Sequence, residues 1–334
     1  MELNFKDNMY KEKALKAKLS PKDIHSSEDA LLLLIRGVSF EDLSNLCELI
    51  KDYYASLESP IDLSLEQCYK LTQSNDLSNL EKNNIANLIS KCIQEKGFLG
   101  NKTINDERRN SSGWISHSFY AGEVCAILAN KLGLDEDKAR TLGLLHDYGR
   151  KFNHSFKHTI IGFEELTDLG WDNEAIGCLT HSFVNGGRCS NNERAIDGFY
   201  VDKDGIAKWK KGTIKDDMTI FLENYKYSDY DILLNIADLM ATNKGIVSPK
   251  VRISDIATRR IIDPINRGYF LADITNVFIE ILKRFNLVSD YITHIKHDEL
   301  TSLHQIAEYF EIVSDYFYLE FSKLKKDQKN NIKR

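Results

Sequence analysis

Residues 139–150 read ARTLGLLHDYGR. Ala139, Leu142 and Gly143 stand at i, i+3 and i+4, the spacing of one helical face, and that face runs directly into His146 with Asp147 beside it. A helix is expected from about Asp135 to Tyr148, with an imidazole and a carboxylate at the inner end of its buried stripe. Upstream, WISHSFYAGEVCAILANKL (114–132) places Ala121, Val124, Cys125, Leu128 and Leu132 on one stripe, predicting a helix from about Ser116 to Leu132. His117 lies one turn before Ala121 and should face inward as well. Downstream, DILLNIADLMA (231–241) is apolar on nearly every side, predicting a helix over Asp229–Asn243 that carries Asp238 into the interior. A carboxylate placed there is costly unless it is paired or bound to a cation.

Any one of these histidines taken singly reads as a satisfied core residue. Four polar groups on three inward faces need a shared partner, and a divalent metal is the economical one. Neutral imidazole with carboxylate suits zinc, iron, manganese or a similar ion. The adjacent His146 and Asp147 can both reach one ion near a helix end, while His117 and Asp238 approach from other helices.

The motifs ISHSF (115–119), LLHDYGR (144–150) and IADLM (236–240) resemble, in order, the H…HD…D signature of HD-domain metal-dependent phosphohydrolases. The resemblance covers roughly residues 114–260. Two more segments extend it: KHTIIGFEELTDLGW (157–171) is similar to the H-x-x-x-G helix, and EAIGCLTHSF (174–183) to the helix ending in another ligand histidine. In dinuclear members these positions hold a second metal and the aspartate of the HD pair bridges the ions. The resemblance thus implies the ligand set His117, His146, Asp147, His158, His181 and Asp238. It also implies two divalent ions (Fe, Mn, Zn or Mg) and a small phosphorylated substrate such as a nucleotide. Uncharacterised bacterial HD proteins and the diadenosine-tetraphosphate hydrolases of the YqeK type share this order. Gly162 and Gly177, on the faces of His158 and His181, are read as making room beside the ions. His154 lies four residues before His158, so HSFKH leaves either histidine, or both, as ligand.

Arg150 and Lys151 stand where HDIGK-type proteins keep a basic residue and are candidates for phosphate contact beside catalytic Asp147; helix-end cations favoured by the dipole would look the same. Lys244, Arg188 and Arg194 are weaker candidates. A second His-Asp pair at 297–298 has no matching upstream helix and reads as surface polarity.

The rest of the chain is expected to be all-α: an HD helical bundle with an added N-terminal helical section and one small β-hairpin insertion. Only four prolines interrupt its 334 residues, and the apolar spacing is mostly helical. Residues 1–98 read as a section of their own, with two helices around Gly37 and Ser39 as an N-cap; residues 99–334 carry the site. The first section resembles the small helical domain preceding the catalytic part of RadC-like proteins. However, SNDLSNLEKNN (74–84) lacks the glycine hairpin that lets a backbone approach phosphate, and a packing or dimerising section explains the same pattern. Further helices are expected over His158–Leu169 and Asn173–His181. GFYVDKDGIAKW (198–209) reads as a hairpin turning at Asp204-Gly205. Two or more helices should follow between Tyr269 and Leu324, and the basic tail from Lys323 to Arg334 is expected to fray.

A net charge of −6 speaks against a general nucleic-acid or anionic-membrane binder. No apolar run approaches a membrane span or a signal peptide, so a cytoplasmic protein is expected. The six cysteines form no CxxC pair and read as buried thiols. Walker A, GxGxxG and GxSxG sequences are absent, which disfavours glycine-loop phosphate binding and serine hydrolysis. The rival from another class is a signalling or DNA-associated scaffold with a vestigial HD domain.

Overall fold

The computed structural model describes residues 25–97, 113–154, 157–182, 199–201, 207–209, 221, 224–260, 264–287 and 303–332. Four serines organise the first section. Ser26, Ser39, Ser64 and Ser78 each accept a backbone N–H and open helices α1 (Ser27–Ile35), α2 (Phe40–Ala55), α3 (Leu65–Gln73) and α4 (Asn79–Lys96). Gln67 and Glu81 answer Ser64 and Ser78 from the third helical position, completing capping boxes.

The bundle that follows comprises α5 (Trp114–Leu132), α6 (Glu136–Leu145), α7 (His158–Asp168), α8 (Asp172–Thr180) and α9 (Asp229–Asp238). Between α8 and α9, β1 (Phe199–Val201) pairs antiparallel with β2 (Ala207–Trp209), Tyr200 opposite Lys208. The strands fall where a hairpin is expected; Asp204-Gly205, Arg188, Arg194 and the His297-Asp298 pair lie outside the described residues.

Two helices end sooner than their apolar pattern predicts. Helix α6 stops at Leu145 rather than Tyr148, and a 3₁₀ turn over Tyr148–Lys151 takes over. That tighter turn presses Gly149 onto α7: a Cβ there would lie 2.0 Å from the His158 carbonyl oxygen and 2.6 Å from the Gly162 nitrogen. Helix α9 stops at Asp238 rather than Asn243, because β3 (Ala241–Thr242) folds back on β4 (Gly245–Ile246) and the Val247 N–H reaches the Met240 carbonyl at 2.8 Å. Hydrophobic periodicity continues through both ends, so it carries no stop signal.

Helices α10 (Pro249–Arg260), α11 (Pro264–Arg284) and α12 (Leu303–Ile332) close the chain. The tail does not fray at Lys323: α12 runs to Ile332, with Lys323 paired to Glu320 one turn back.

Two apolar clusters meet along α5. One joins the N-terminal helices (Leu34, Leu46, Ile89) to Trp114, Ile115 and Phe119 at the start of α5 and to Phe163 and Ile176. The other joins Val124 and Leu128 of the same helix to Leu233 of α9, Phe278 of α11 and Phe317 of α12. His117 lies within the first of these α5 segments, between Ile115 and Phe119. No described helix is long and apolar enough to cross a membrane.

Candidate metal centre

Backbone contact between helices brings the pieces together. A Cβ on Gly143 would sit 2.6 Å from the Gly122 Cα, so α5 and α6 cross with no side chain between them. Adding a methyl at such a contact typically costs about 1–3 kcal/mol. Gly162 works the same way, facing the Gly149 nitrogen and Cys178 Sγ at 2.9 Å from where its Cβ would be. Its smallness serves the approach of α7 to the 3₁₀ turn, not room for ions.

Three helices end at one point. His146 is the C-cap of α6, His181 the C-cap of α8, and Asp238 the last residue of α9. Helix C-termini carry partial negative charge and favour a cation. Asp147 follows at φ −101°, ψ 14°, the sparsely occupied bridge region in which many active-site residues sit.

The two Asp147 oxygens face different pairs of histidines. Oδ2 lies 3.7 Å from His117 Nε2 and 3.6 Å from His146 Nε2. Asp238 Oδ1 joins that group, 2.9 Å from His117 Nε2 and 3.8 Å from His146 Nε2. Oδ1 of Asp147 lies 3.1 Å from His158 Nε2 and 3.4 Å from His181 Nε2, and those nitrogens are 3.2 Å apart. Bonds of about 2.1 Å to a first-row metal put neighbouring ligand atoms roughly 3.0–3.4 Å apart. The separations around Asp147 Oδ1, 3.1–3.4 Å, fall in that range, whereas those around Oδ2 and Asp238 run from 2.9 to 3.8 Å and are mostly wider.

Hydrogen bonding fixes three of the rings through their other nitrogen. His146 Nδ1 donates to the Gly143 carbonyl at 2.7 Å, His181 Nδ1 to Gly177 at 3.2 Å and His117 Nδ1 to Ala241 at 3.2 Å. A ring fixed through Nδ1–H presents its Nε2 lone pair to the centre, the arrangement typical of metal-ligating histidine. Burial pushes His146 down to about 3, against the opposing pull of Asp147, and burial then the Arg150 charge push His158 down to about 4. Both rings are neutral at pH 7. Burial works against the Asp147 carboxylate, but Arg150, His146, His158 and His181 together hold it well below the usual range. Burial likewise opposes Asp238, and His117, His146 and Arg252 overcome it. Nitrogen lone pairs therefore face carboxylate oxygens. His117 Nε2, His146 Nε2 and Asp147 Oδ1 are buried without a hydrogen-bond partner. Buried polar atoms are seldom left so, and a cation supplies the missing partner for all three.

Exposure locates the mouth. The four histidines and Asp147 are nearly sealed, whereas the side chains of Asp238, Arg150 and Arg252 are 21%, 23% and 17% exposed. The apolar run around Asp238 predicts a buried carboxylate; its side chain is instead partly exposed, at the rim. Arg150 donates from Nε to Asp147 Oδ2. Lys151 turns elsewhere, its ammonium over the Tyr148 ring and beside Gly37 of the N-terminal section. Lys244 is exposed in the β3–β4 turn. Of the two alternative histidines, His158 stands in the cluster as the first residue of α7, and His154 precedes the helix.

Two residues at the site escape sequence reasoning. Asn235, buried on α9 one turn before Asp238, donates from Nδ2 to the Thr180 and His181 carbonyls at 3.0 and 2.9 Å. Its signal is an amide in the apolar run ILLNIADL. Arg252 approaches Asp238 from α10, with Nη2 3.9 Å from Oδ1. Nothing in its local sequence marks it, because the β3–β4 turn creates the proximity.

Comparison with known proteins bears on the same region. Residues 114–188 match the family model of the HD domain. A ribonuclease Y of Fervidobacterium nodosum is 41% identical over 67 residues, 20% of this chain and 13% of that protein. A ribonuclease Y of Mycoplasma capricolum is 25% identical over 125 residues, 37% of this chain and 24% of its own length. An uncharacterized protein of Methanocaldococcus jannaschii is 35% identical over 74 residues, 22% of this chain and 43% of the relative. The chain thus spans under half of each of these relatives. No solved structure matches it.

Proposed function

Because the chain carries an HD domain at residues 114–188, we propose that it is a metal-dependent phosphohydrolase that cleaves a phosphoester or phosphoanhydride of a nucleotide-like substrate. The observation that carries this reading is the pair of histidine clusters on opposite oxygens of one buried carboxylate, with His117 Nε2, His146 Nε2 and Asp147 Oδ1 buried without a hydrogen-bond partner. His117, His146, Asp147 and Asp238 would hold one ion, and Asp147, His158 and His181 a second. Ions in those places supply a water acidic enough to attack at neutral pH and positive charge for the phosphoryl oxygens.

The protein's own groups do the rest. Asp147 is kept ionised and cannot turn away, since both its oxygens face fixed rings. His146 and His158, held neutral by burial, bring no charge that would repel a cation. The partly exposed side of Asp238 leaves an approach for substrate, and Arg150 stands at that approach with a guanidinium fork suited to phosphate. The ribonuclease Y relatives make an RNA phosphodiester the specific alternative to a mononucleotide or dinucleoside polyphosphate.

The test is elemental analysis of protein prepared without chelator, followed by a hydrolysis panel of nucleotides, dinucleoside polyphosphates and short RNA. The expected result is at least one transition metal per chain and metal-dependent release of phosphate or cleaved nucleotide. Protein that holds no metal and takes up none on titration contradicts the reading and favours a scaffold.

A further inference from the structure

Arg252 lies outside every motif discussed so far, and it stands at the rim beside Asp238. Its helix α10 starts just after the β3–β4 turn, so the chain leaves the centre at Asp238 and returns to it fourteen residues later. The return is firmly held: the Lys250 N–H donates to Ser314 Oγ at 2.9 Å, the Lys250 ammonium pairs with Asp315, and Ile253 is buried in the core. The guanidinium is positioned by its helix rather than swinging from a loop.

The donors of Arg252 are largely unspent. Nη1 reaches Asp255 Oδ2 at 3.2 Å, but Nη2 stops 3.9 Å short of Asp238 Oδ1, beyond hydrogen-bond range, and Nε is buried with no partner. A buried guanidinium nitrogen without an acceptor is costly. Nη2 nonetheless stands next to the oxygen that lies 2.9 Å from His117 Nε2, one ligand shell from the centre. Without ions, two carboxylates and two guanidiniums cancel formally: Arg150 lies against Asp147 and Arg252 against Asp238. Ions that draw on those carboxylates leave both arginines with positive charge to spend at the mouth. A phosphate is the small anion whose oxygens match a planar fork of N–H donors.

We propose that Arg252 is a phosphate-binding residue, gripping a non-reacting oxygen of the substrate's phosphate on the Asp238 side of the mouth, opposite Arg150. This rests on the functional reading above and adds to it a clamp on a second face. The chemistry applies equally to a phosphomonoester and to a diester.

The experiment compares wild type, Arg252→Ala, Arg252→Gln and Arg252→Lys, each loaded with manganese, for metal content by elemental analysis and for affinity toward inorganic phosphate by calorimetry. Alanine and glutamine variants that keep wild-type metal and bind phosphate at least tenfold more weakly, with lysine between, support the assignment. Unchanged phosphate affinity at full metal content overturns it, and so does loss of metal, which would make Arg252 a positioning residue for Asp238. Should the alanine variant fail to fold, the glutamine variant decides, since it keeps most of the side chain's volume. Wild type that takes up no metal overturns the functional reading itself, an outcome distinct from the others. Repeating the titration with a nucleoside monophosphate and a dinucleotide then separates the monoester from the diester.

Discussion

The two halves of the centre are built from the same side chains but held in different ways. In the first, His117 is oriented by the Ala241 carbonyl from 124 residues away, and a second carboxylate, Asp238, arrives on α9. In the second, His158 and His181 share one Asp147 oxygen, and His181 is fixed through the carbonyl of its own helix at Gly177. The first half thus offers two carboxylate oxygens against a cation and the second offers one. Fewer negative ligands mean weaker charge compensation, so the second half should release its ion first. Ser182 reinforces the difference, its hydroxyl standing 2.9 Å from His181 Nε2 and competing for the lone pair an ion would use.

The harshest test of the comparison removes what the halves share. Asp147→Asn keeps the size of the side chain but takes away the charge that faces both pairs of histidines. Metal content should fall at both places, and hydrolysis of the best substrate by about a hundredfold or more, as expected when the group fixing an activated water is lost. A folded variant, checked by circular dichroism, that hydrolyses at the wild-type rate would place the activity elsewhere on the chain. Next in size is the contrast between the halves. His158→Ala should leave about one ion per chain by elemental analysis, whereas His117→Ala should remove more, since it also releases the β3–β4 turn. Equal metal content in both variants would erase the proposed difference.

How much of this could be read from the sequence follows the same division. His117, His146 and His158 lie on or beside periodic apolar stripes, and the helices carrying them occur close to their expected bounds. What escaped is what depends on where helices stop. Apolar spacing runs through Leu145 into Tyr148 and through Asp238 into Ala241, yet the chain turns at both places, and those turns create Asp147's backbone geometry and the Ala241 acceptor. Asp238 reads as buried from its neighbours, but at the last turn of α9 it reaches the rim. Arg252 is invisible to any local pattern, since only the turn after Asp238 brings it back.

Asn235 offers a milder perturbation aimed at the second half alone. Its amide holds two carbonyls that α8 leaves unpaired at its end, including that of His181. Asn235→Ala should weaken the second ion by roughly ten- to a hundredfold, the usual scale for a group that orients a ligand. The first ion and its affinity should change little. Metal titration followed by calorimetry reads both steps. Parallel weakening of the two would mean that α9 supports the centre as a whole and that the halves are not separable.

Lys151 should give the smallest effect, although its neighbour Arg150 sits on Asp147 and the two are alike on paper. The 3₁₀ turn separates them. Arg150 folds back to Asp147 Oδ2, whereas the Lys151 ammonium lies 5.3 Å from the centre of the Tyr148 ring. Its chain end stands within 4 Å of where a Gly37 Cβ would be, so it bridges the site to the N-terminal helices. Burial first, and then the Arg36 charge, lowers its pKa, but no described contact joins it to the histidine cluster. Lys151→Ala should therefore leave kcat and KM within about twofold, because a charge spent on the N-terminal section contributes little at the mouth. The loss should appear in stability: a cation–π contact worth about 1 kcal/mol lowers Tm by roughly 2 °C in a chain of this size. Differential scanning calorimetry beside steady-state kinetics separates the two outcomes. A tenfold rise in KM with Tm unchanged would mean that Lys151 leaves Gly37 and reaches substrate phosphate.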